Sequence, residues 1–315
     1  MIFLVGLLQD GPLHAVRKAL HELGSPVVFF DPYAVLEAEV QLRVDAQLQG
    51  FWQIGPQMLD LQTVTALYLR QVHFCHVPAV RQAGHGSPAW RHACNVEEAL
   101  LSWAELTSAL VVNRPSAMAS NHSKPYQASI IQSCGFAIPE TLVTTDPEAA
   151  RSFWDRYGTV IYKSLSSVRS IVTRLTPAHR SRLHDITACP TQFQQYIPGR
   201  DYRVHVVGKE VFACEIVSAA DDYRYAHRQG LAVDLRAYTL PMACAERCQT
   251  LAAALDFVVA GIDLRCTPEG QWYCFEVNPS PAFTYYQAAT GQPIAAAIAR
   301  LLAAGPHAGA GSVTG

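Results

Sequence analysis

The sequence predicts an α/β protein with α+β subdomains, on three observations. The N-terminal segment alternates strand-like and helix-like patterns, the C-terminal half carries two long apolar hairpins, and half of the 315 residues are hydrophobic. A chain of this length and composition buries at least one sizeable core and divides into two or three domains or subdomains. The same figures exclude a disordered chain.

Each element can be justified in order. IFLVGL, QDGP, HAVRKALHELG and PVVFFD read as strand, turn, helix and strand, with Gly24 closing the helix. This βαβ opening has only Gly6 and Gly11 where a dinucleotide site needs GxGxxG, so scaffolding or substrate binding is expected of it. TALYLR predicts a strand, RQAGHGSPAW a loop, VEEALLSWAELTSAL a helix and LVVN a short strand, with a domain boundary near Arg114-Pro115. KPYQASIIQSCG then predicts a helix, ETLVTT a strand, Pro147 to Tyr157 a helix and TVIYK a strand. SIVTRL and TQFQQYI read as strands around a short polar connection. DYRVHVVGKEVFACEIVS is a hairpin turning at Gly208-Lys209, and AERCQTLAAALD is the helix before a final hairpin. The small, polar end HAGAGSVTG is expected to fray.

Composition removes several function classes. Formal net charge is −2 from 24 basic and 26 acidic residues, with no Lys/Arg block, so the electrostatic footprint of nucleic-acid binding is absent. The apolar run in MIFLVGLLQDG is short and has no basic stretch ahead of it, which fits neither a signal peptide nor a membrane span and predicts a cytoplasmic protein. Nine cysteines, an odd number, read as buried thiols in a reducing compartment. His73, Cys75, His76, His85, His92 and Cys94 could supply soft metal ligands, but their spacing matches no regular zinc pattern, and a histidine-rich loop is the expected reading.

The stretch WYCFEVNPSPAF carries the chemistry. FVVAGIDLRC and QWYCFEV flank the turn TPEG; pairing Cys266 with Gln271 makes opposed residue numbers sum to 537 and sets Asp263 opposite Cys274. Side chains two apart share a face, so Asp263, Glu276 and Asn278 project from one side, while Ile262, Leu264, Tyr273, Phe275 and Val277 line the other. Two carboxylates and an amide oxygen suit a hard cation such as magnesium, with phosphate oxygens completing its shell. The alternative is a solvated face with an incidental Asn-Pro turn.

Other segments raise the metal reading. Lys124 begins a helix after Asn121 and Ser123, Lys163 ends the strand TVIY, and FQQYIPGRDYRV follows, ahead of Asp263 and the Glu276-x-Asn278 pair. In this order they resemble the ATP-grasp superfamily across roughly residues 113 to 303. Within it the chain is similar to the ribosomal-protein glutamate ligase branch, and closer still to microviridin-type (graspetide) peptide macrocyclases, above all in NHSKPYQASIIQSCGFAIPETLVTTDPEAARSFW.

The resemblance implies an ATP-grasp fold: a Rossmann-like pre-ATP-grasp domain over 1–113, an ATP-grasp domain over 114–305 and a tail over 306–315. Its lid subdomain would cover about 120–193 and its C-terminal subdomain about 194–305. The cofactors implied are ATP and Mg2+, with Mn2+ as a second ion. Lys124 and Lys163 would bind ATP phosphates as flexible point charges. The backbone of Gln195, Tyr196 and Ile197 would contact adenine, and Asp201 the ribose. Arg203, in the same alternation as Asp201 and His205, would meet charge on the transferring phosphate. Arg224 in AADDYRYAH would sit near an acyl phosphate, the alternative being a surface pair with Asp221 or Asp222.

Two departures stand out. SLSSVRS after Lys163 lacks the glycines that many relatives lay over phosphates, so Ser166, Ser167 and Arg169 would substitute; Gln195 stands where many relatives have glutamate. The implied reaction activates a carboxylate as an acyl phosphate and joins it to an amine or hydroxyl, giving an amide or ester. A precursor peptide and a homodimer both stay open as partners. Three other readings are carried: a small amino-acid or dipeptide ligase, a regulatory module that holds ATP without ligation, and a metal-binding interaction protein built on the His/Cys group.

Overall fold

The computed structural model describes residues 1–45, 48–70, 72–164, 172–218, 223, 226 and 230–308. Near-continuous apolar runs form β1 (Ile2–Val5), β2 (Val27–Phe30) and, further on, two more strands of one parallel sheet, as expected where both faces are covered. Helix α1 (Gly11–Glu22) crosses between β1 and β2, and Asp10 caps it by accepting the Leu13 N–H at 2.8 Å.

The segment after β2 carries a sheet absent from the sequence expectations: β3 (Ala38–Val44), β4 (Leu48–Ile54) and β5 (Gln57–Asp60), all antiparallel. Its Trp52 is buried against Phe3 and Phe30, with ring centroids 5.8 and 5.1 Å away, so this small sheet covers one face of the parallel one. Strand β6 (Ala66–Leu69) follows, then α2 (Pro78–Ala83), α3 (Pro88–Leu106) and β7 (Leu110–Val112), completing the order β2-β1-β6-β7. The expected loop RQAGHGSPAW is thus mostly helical. Ser87 accepts the Trp90 N–H and Pro88 occupies the first turn, so α3 starts eight residues earlier than VEEALL suggests.

After α4 (Pro115–Met118) and α5 (Lys124–Ser133) comes a second sheet, antiparallel, in the order β10-β9-β11-β8. Its elements are β8 (Thr141–Thr144), α6 (Pro147–Tyr157), β9 (Val160–Ser164), β10 (Thr173–Arg174) and β11 (Thr191–Gln195). SIVTRL yields only the two-residue β10 among the described residues, and the polar connection after it winds as a 3-10 helix, Pro177–Ala188.

The third large sheet is antiparallel, β14-β13-β12-β15-β16. It contains β12 (Arg200–Val207), β13 (Glu210–Ser218), β14 (Val233–Tyr238), helix α7 (Met242–Ala254), β15 (Val259–Cys266) and β16 (Trp272–Asn278). The β12–β13 hairpin closes on the pair Val207 and Glu210, and Gly208 supplies the φ of +55° that this two-residue turn requires.

The β15–β16 register corrects the sequence expectation. Cys266 pairs with Trp272, not Gln271, and a bulge makes Phe275 an extra residue, so Asp263 lies opposite Glu276 and not Cys274. The extra residue also reverses the alternation. Cys274 turns into the core with Ile262, Leu264 and Val277, while Tyr273 and Phe275 leave the core face to which they were assigned.

Helices α8 (Thr284–Thr290) and α9 (Ile294–Ala304) end the described fold. Ile294, Ile298 and Leu302 of α9 share one core with Ile2, Leu4, Leu13 and Leu20, so the last helix packs on α1 and the parallel sheet. Among the described residues no helix is long and apolar enough to cross a membrane.

Candidate active site

Three adjacent strands bring the polar residues together. Arg203 of β12 lies opposite Asp263 of β15, which lies opposite Glu276 of β16; Asp201 is opposite Arg265, and Gly261 is opposite both His205 and Asn278. These positions share one face, because their neighbours Ile262, Leu264, Cys274 and Val277 fill the core behind it. The bulge sharpens the arrangement: Asp263 and Glu276 become directly opposed, with Cβ atoms about 5 Å apart by strand geometry.

Arg203 is the buried centre of this face, its side chain 7% exposed, and its Nη1 donates to Asp263 Oδ1 at 2.7 Å. Its guanidinium also lies 5.8 Å from the Tyr286 ring centroid. Burial opposes its charge, yet the Asp263 carboxylate, helped by the Tyr286 and Tyr223 hydroxyls, holds its pKa above the ordinary arginine value. Gly261 is glycine because of this side chain: an added Cβ would collide with Arg203 Nη2 and with Pro281. His205, beside it, is held neutral, its pKa pushed well down by burial and by Arg203. Tyr223 and Tyr286 join hydroxyls at 2.7 Å over the same face. The half-buried Glu276 carboxylate and Asn278 amide stand there with no side-chain partner among the described residues.

Across from this face stands the β10-β9-β11-β8 sheet, and two cavities lie between. The larger, about 730 Å³, is lined by Lys124, Lys163, Gln192, Gln194, Tyr273 and Phe275. Lys124 is there because Ser123 caps α5 and sets the lysine in its first turn, where the helix dipole adds to the positive potential. The smaller, about 110 Å³, is lined by Lys163, Tyr196, Asp201, Asp263, Phe275 and Glu276, among others. Lys163, Gln194 and Phe275 border both.

Most of the expected residues therefore meet, though not all. Gln195 and Ile197 line neither cavity: the Gln195 N–H donates to the Glu140 carbonyl at 2.9 Å, and Ile197 is buried with its carbonyl accepting from Arg265 Nη1 at 2.8 Å. Gln194 faces the cleft instead. Asp201 lines the smaller cavity, but Arg265 holds both of its carboxylate oxygens, at 2.7 and 2.9 Å. The sequence reading missed Arg265, although DLR sets it two residues beyond Asp263 on one strand face. It also missed Arg174, whose guanidinium lies 4.3 Å from the Tyr196 ring centroid. Ser166, Ser167, Arg169, Asp221, Asp222 and Arg224 lie outside the described residues.

Three side chains from remote elements grip the backbone around Glu276 and Asn278. Gln127 of α5 donates to the Val277 carbonyl at 2.8 Å and accepts its N–H at 2.9 Å. Asn113, 1% exposed, donates to the carbonyls of Val259 and Pro279 and accepts the N–H groups of Val258 and Val259 at 2.8 and 3.1 Å. Arg70, just after β6, donates to Ser280 Oγ at 2.7 Å.

The His/Cys group divides into pairs, His73 packing on His76 at 5.4 Å between ring centroids and Cys75 lying beside Cys94, and several members have other partners. His92 Nε2 meets the Val35 and Ala38 carbonyls, His73 meets Glu97 and His85 packs on Trp90, while burial and the neighbouring Cys75 push the Cys94 thiol up. Among the described residues no three His, Cys, Asp or Glu gather as a metal site; Asp263 and Glu276 count as two, and their third donor is an amide.

Two antiparallel sheets enclosing a cleft, with Lys163 on one, a carboxylate-amide face on the other and Lys124 at the α5 terminus beside them, define an ATP-dependent ligase of the ATP-grasp kind. The chain belongs to the RimK-like ATP-grasp family, whose domain profile matches residues 120–302. No curated protein sequence matches the chain at a significant level. Among solved structures it is similar to the macrocyclase MdnC from Microcystis aeruginosa MRC, bound with precursor peptide MdnA, at 23% identity and a TM-score of 0.76, covering 96% of this chain and 99% of that one. It is also similar to the RiPP-associated ATP-grasp ligase of Chryseobacterium gregarium in complex with ADP, a leader and a core peptide, at 21% identity and a TM-score of 0.81, covering 96% of each chain. The ATP-grasp ligase PsnB, complexed with a minimal precursor, Mg and ADP, matches at 25% identity and a TM-score of 0.77, also over 96% of each chain.

Proposed function

We propose that this ligase modifies a peptide, activating a side-chain carboxylate as an acyl phosphate and passing it to an amine or hydroxyl. The observation that carries the proposal is the apposition of Asp263 and Glu276, with Asn278 two residues on along the same strand, at a cavity that Lys163 lines as well. A peptide substrate is favoured by the similar structures that hold precursor peptides. In this reading residues 1–113 are the pre-ATP-grasp domain and 114–305 the ATP-grasp domain, with its lid and C-terminal parts meeting near residue 194.

The donor set fits Mg2+. Two carboxylates and an amide oxygen are hard ligands, and Asp263 keeps one oxygen after binding Arg203 through the other. Mn2+ would fit the same donors. Bound with the nucleotide, the ion supplies positive charge that neutralises phosphate oxygens. The chain's own residues do the rest. Lys163 from the facing sheet and Lys124 from the first turn of α5 bind and orient phosphates, and Tyr196 and Phe275 offer ring faces to the base. Arg203 fixes Asp263 and adds buried charge behind the transferring group.

In the reaction a substrate carboxylate oxygen bonds to the terminal phosphorus of ATP while the bond from that phosphorus to the bridging oxygen breaks, releasing ADP. The acceptor then bonds to the acyl carbon, loses its proton, and expels orthophosphate carrying one carboxylate oxygen. With an oxygen-18 carboxylate on a peptide bearing Asp or Glu and Lys, Ser or Thr, one label should reach orthophosphate and the peptide should lose one water per bond. AMP and pyrophosphate as products, or label in AMP, would overturn the mechanism. Turnover of free amino acids with none of peptides would overturn the substrate class.

A further inference from the structure

Arg70 is tied to two segments far apart in the chain. Its Nε and Nη2 hold both oxygens of Asp10 at 3.1 and 3.0 Å, and Asp10 caps α1. Its Nη1 reaches across 210 residues to Ser280 Oγ at 2.7 Å and also meets the Pro281 carbonyl at 3.4 Å. The stem is fixed as well: an added Cβ on Gly6 would stand 2.8 Å from Arg70 Cβ, so the side chain passes close over the β1 terminus. The side chain is nearly buried, and the Tyr68 phenol, its pKa pushed up to about 12 by burial, lies against the same guanidinium.

Ser280 and Pro281 continue directly from Asn278, the last residue of β16. Beyond Asn278 the strand pairing ends, and Pro279 and Pro281 have no N–H to contribute, so Ser280 is the one backbone donor among residues 279–281. Side chains from elsewhere hold this turn: Asn113 donates to the Pro279 carbonyl, and Arg70 to Ser280 Oγ and the Pro281 carbonyl. The other end of the Arg70 bridge is the Leu7–Asp10 loop at the carboxyl end of a parallel strand, where ligands of open α/β sheets bind.

We propose that Arg70 is a positioning residue: it holds the Asn278–Pro281 turn so that Glu276 and Asn278 face the metal, and it links that turn to the substrate-side Leu7–Asp10 loop. The proposal rests on the metal role assigned above to Asp263, Glu276 and Asn278. A planar guanidinium can bind a carboxylate with one edge and a hydroxyl with another, whereas lysine, a point charge, cannot hold both in fixed geometry.

The test uses the full chain with Arg70→Lys, Ser280→Ala and, as control, Glu276→Gln. Electron paramagnetic resonance measures Mn2+ affinity in the ADP complex, ADP release is followed against Mg2+ concentration, and thermal midpoints are recorded. Glu276→Gln should weaken Mn2+ binding most. Arg70→Lys should weaken it about tenfold, as loss of residues behind metal ligands does, and Ser280→Ala about threefold. In both, half-saturating Mg2+ should rise in parallel and excess Mg2+ should restore turnover, which a purely structural role would not produce. If Glu276→Gln weakens Mn2+ binding but the other two leave it unchanged, the positioning role alone falls. If all three leave it unchanged, the metal assignment falls and the positioning role with it. Should Arg70→Lys unfold, Ser280→Ala decides, since it deletes the Ser280 bond and keeps the Asp10 pair.

Discussion

On the wall that carries Glu276 and Asn278, the backbone is gripped from outside the strand. Gln127 pairs with both polar groups of Val277, Asn113 with Pro279, and Arg70 with Ser280, while the Glu276 and Asn278 side chains keep no partner among the described residues. The Asp201 end of the same face, with Tyr196 beside it, is held by its own side chains instead. Arg265 occupies the Asp201 carboxylate and lies 5.6 Å from the Tyr196 ring centroid and 5.3 Å from that of Phe275, so it stands where a base and ribose would have to fit. The Glu276–Asn278 end is preorganised, and the Asp201 end is closed by an internal ion pair. Electrostatic catalysis needs charges fixed before reaction, whereas a nucleotide site can exchange an internal ion pair for the ligand.

The largest effect should come from the preorganised end. Glu276→Gln should lower ADP release by 100-fold or more, about the loss seen when one fixed charge-stabilising group is removed, with the thermal midpoint little changed. Turnover unchanged at limiting Mg2+ would break the contrast. Asn113→Ala should act on stability instead. It leaves the Val258 and Val259 N–H groups and the Val259 and Pro279 carbonyls short of partners in a buried site, a cost of about 3 kcal/mol by denaturant unfolding.

Lys163→Ala should weaken ATP binding by roughly 10- to 30-fold in calorimetry, the worth of one charge-assisted phosphate contact. Wild-type affinity would remove Lys163 from the site. The smallest perturbation is chemical. Exposed Cys189, which precedes β11, should react with iodoacetamide first. Cys274, which faces the core behind Glu276, and Cys214, pushed up to about 11 by burial, should stay protected. Cys274 labelled as fast as Cys189 would mean that the preorganised end opens.

What the sequence made legible follows the range of each signal. Period-2 runs at β12, β13, β15 and β16 are local, and the alternation alone puts Asp263, Glu276 and Asn278 on one face. The bulge at Phe275 was invisible because an extra residue leaves no compositional mark, and without it the alternation assigns Tyr273 and Phe275 to the core. The β3–β5 sheet went unread because its strands are half exposed and mix Glu, Gln and Arg with apolar residues, which blurs the pattern. Arg70, Asn113 and Gln127 act across 145 residues or more, and no local pattern encodes such contacts. Their one trace was a polar residue placed directly after an apolar strand, as in TALYLR and LVVN.

The placement of α9 has a consequence for synthesis. Ile2, Leu4, Leu13 and Leu20 leave the ribosome long before Ile294, Ile298 and Leu302, which cover the apolar face they form. During translation the parallel sheet must therefore wait with an open side, a long-range closure that slows folding and exposes the nascent chain to association. A chain cut before Ile294 should collect in the insoluble fraction although every residue of the cleft is present, and α9 supplied in trans should recover part of it.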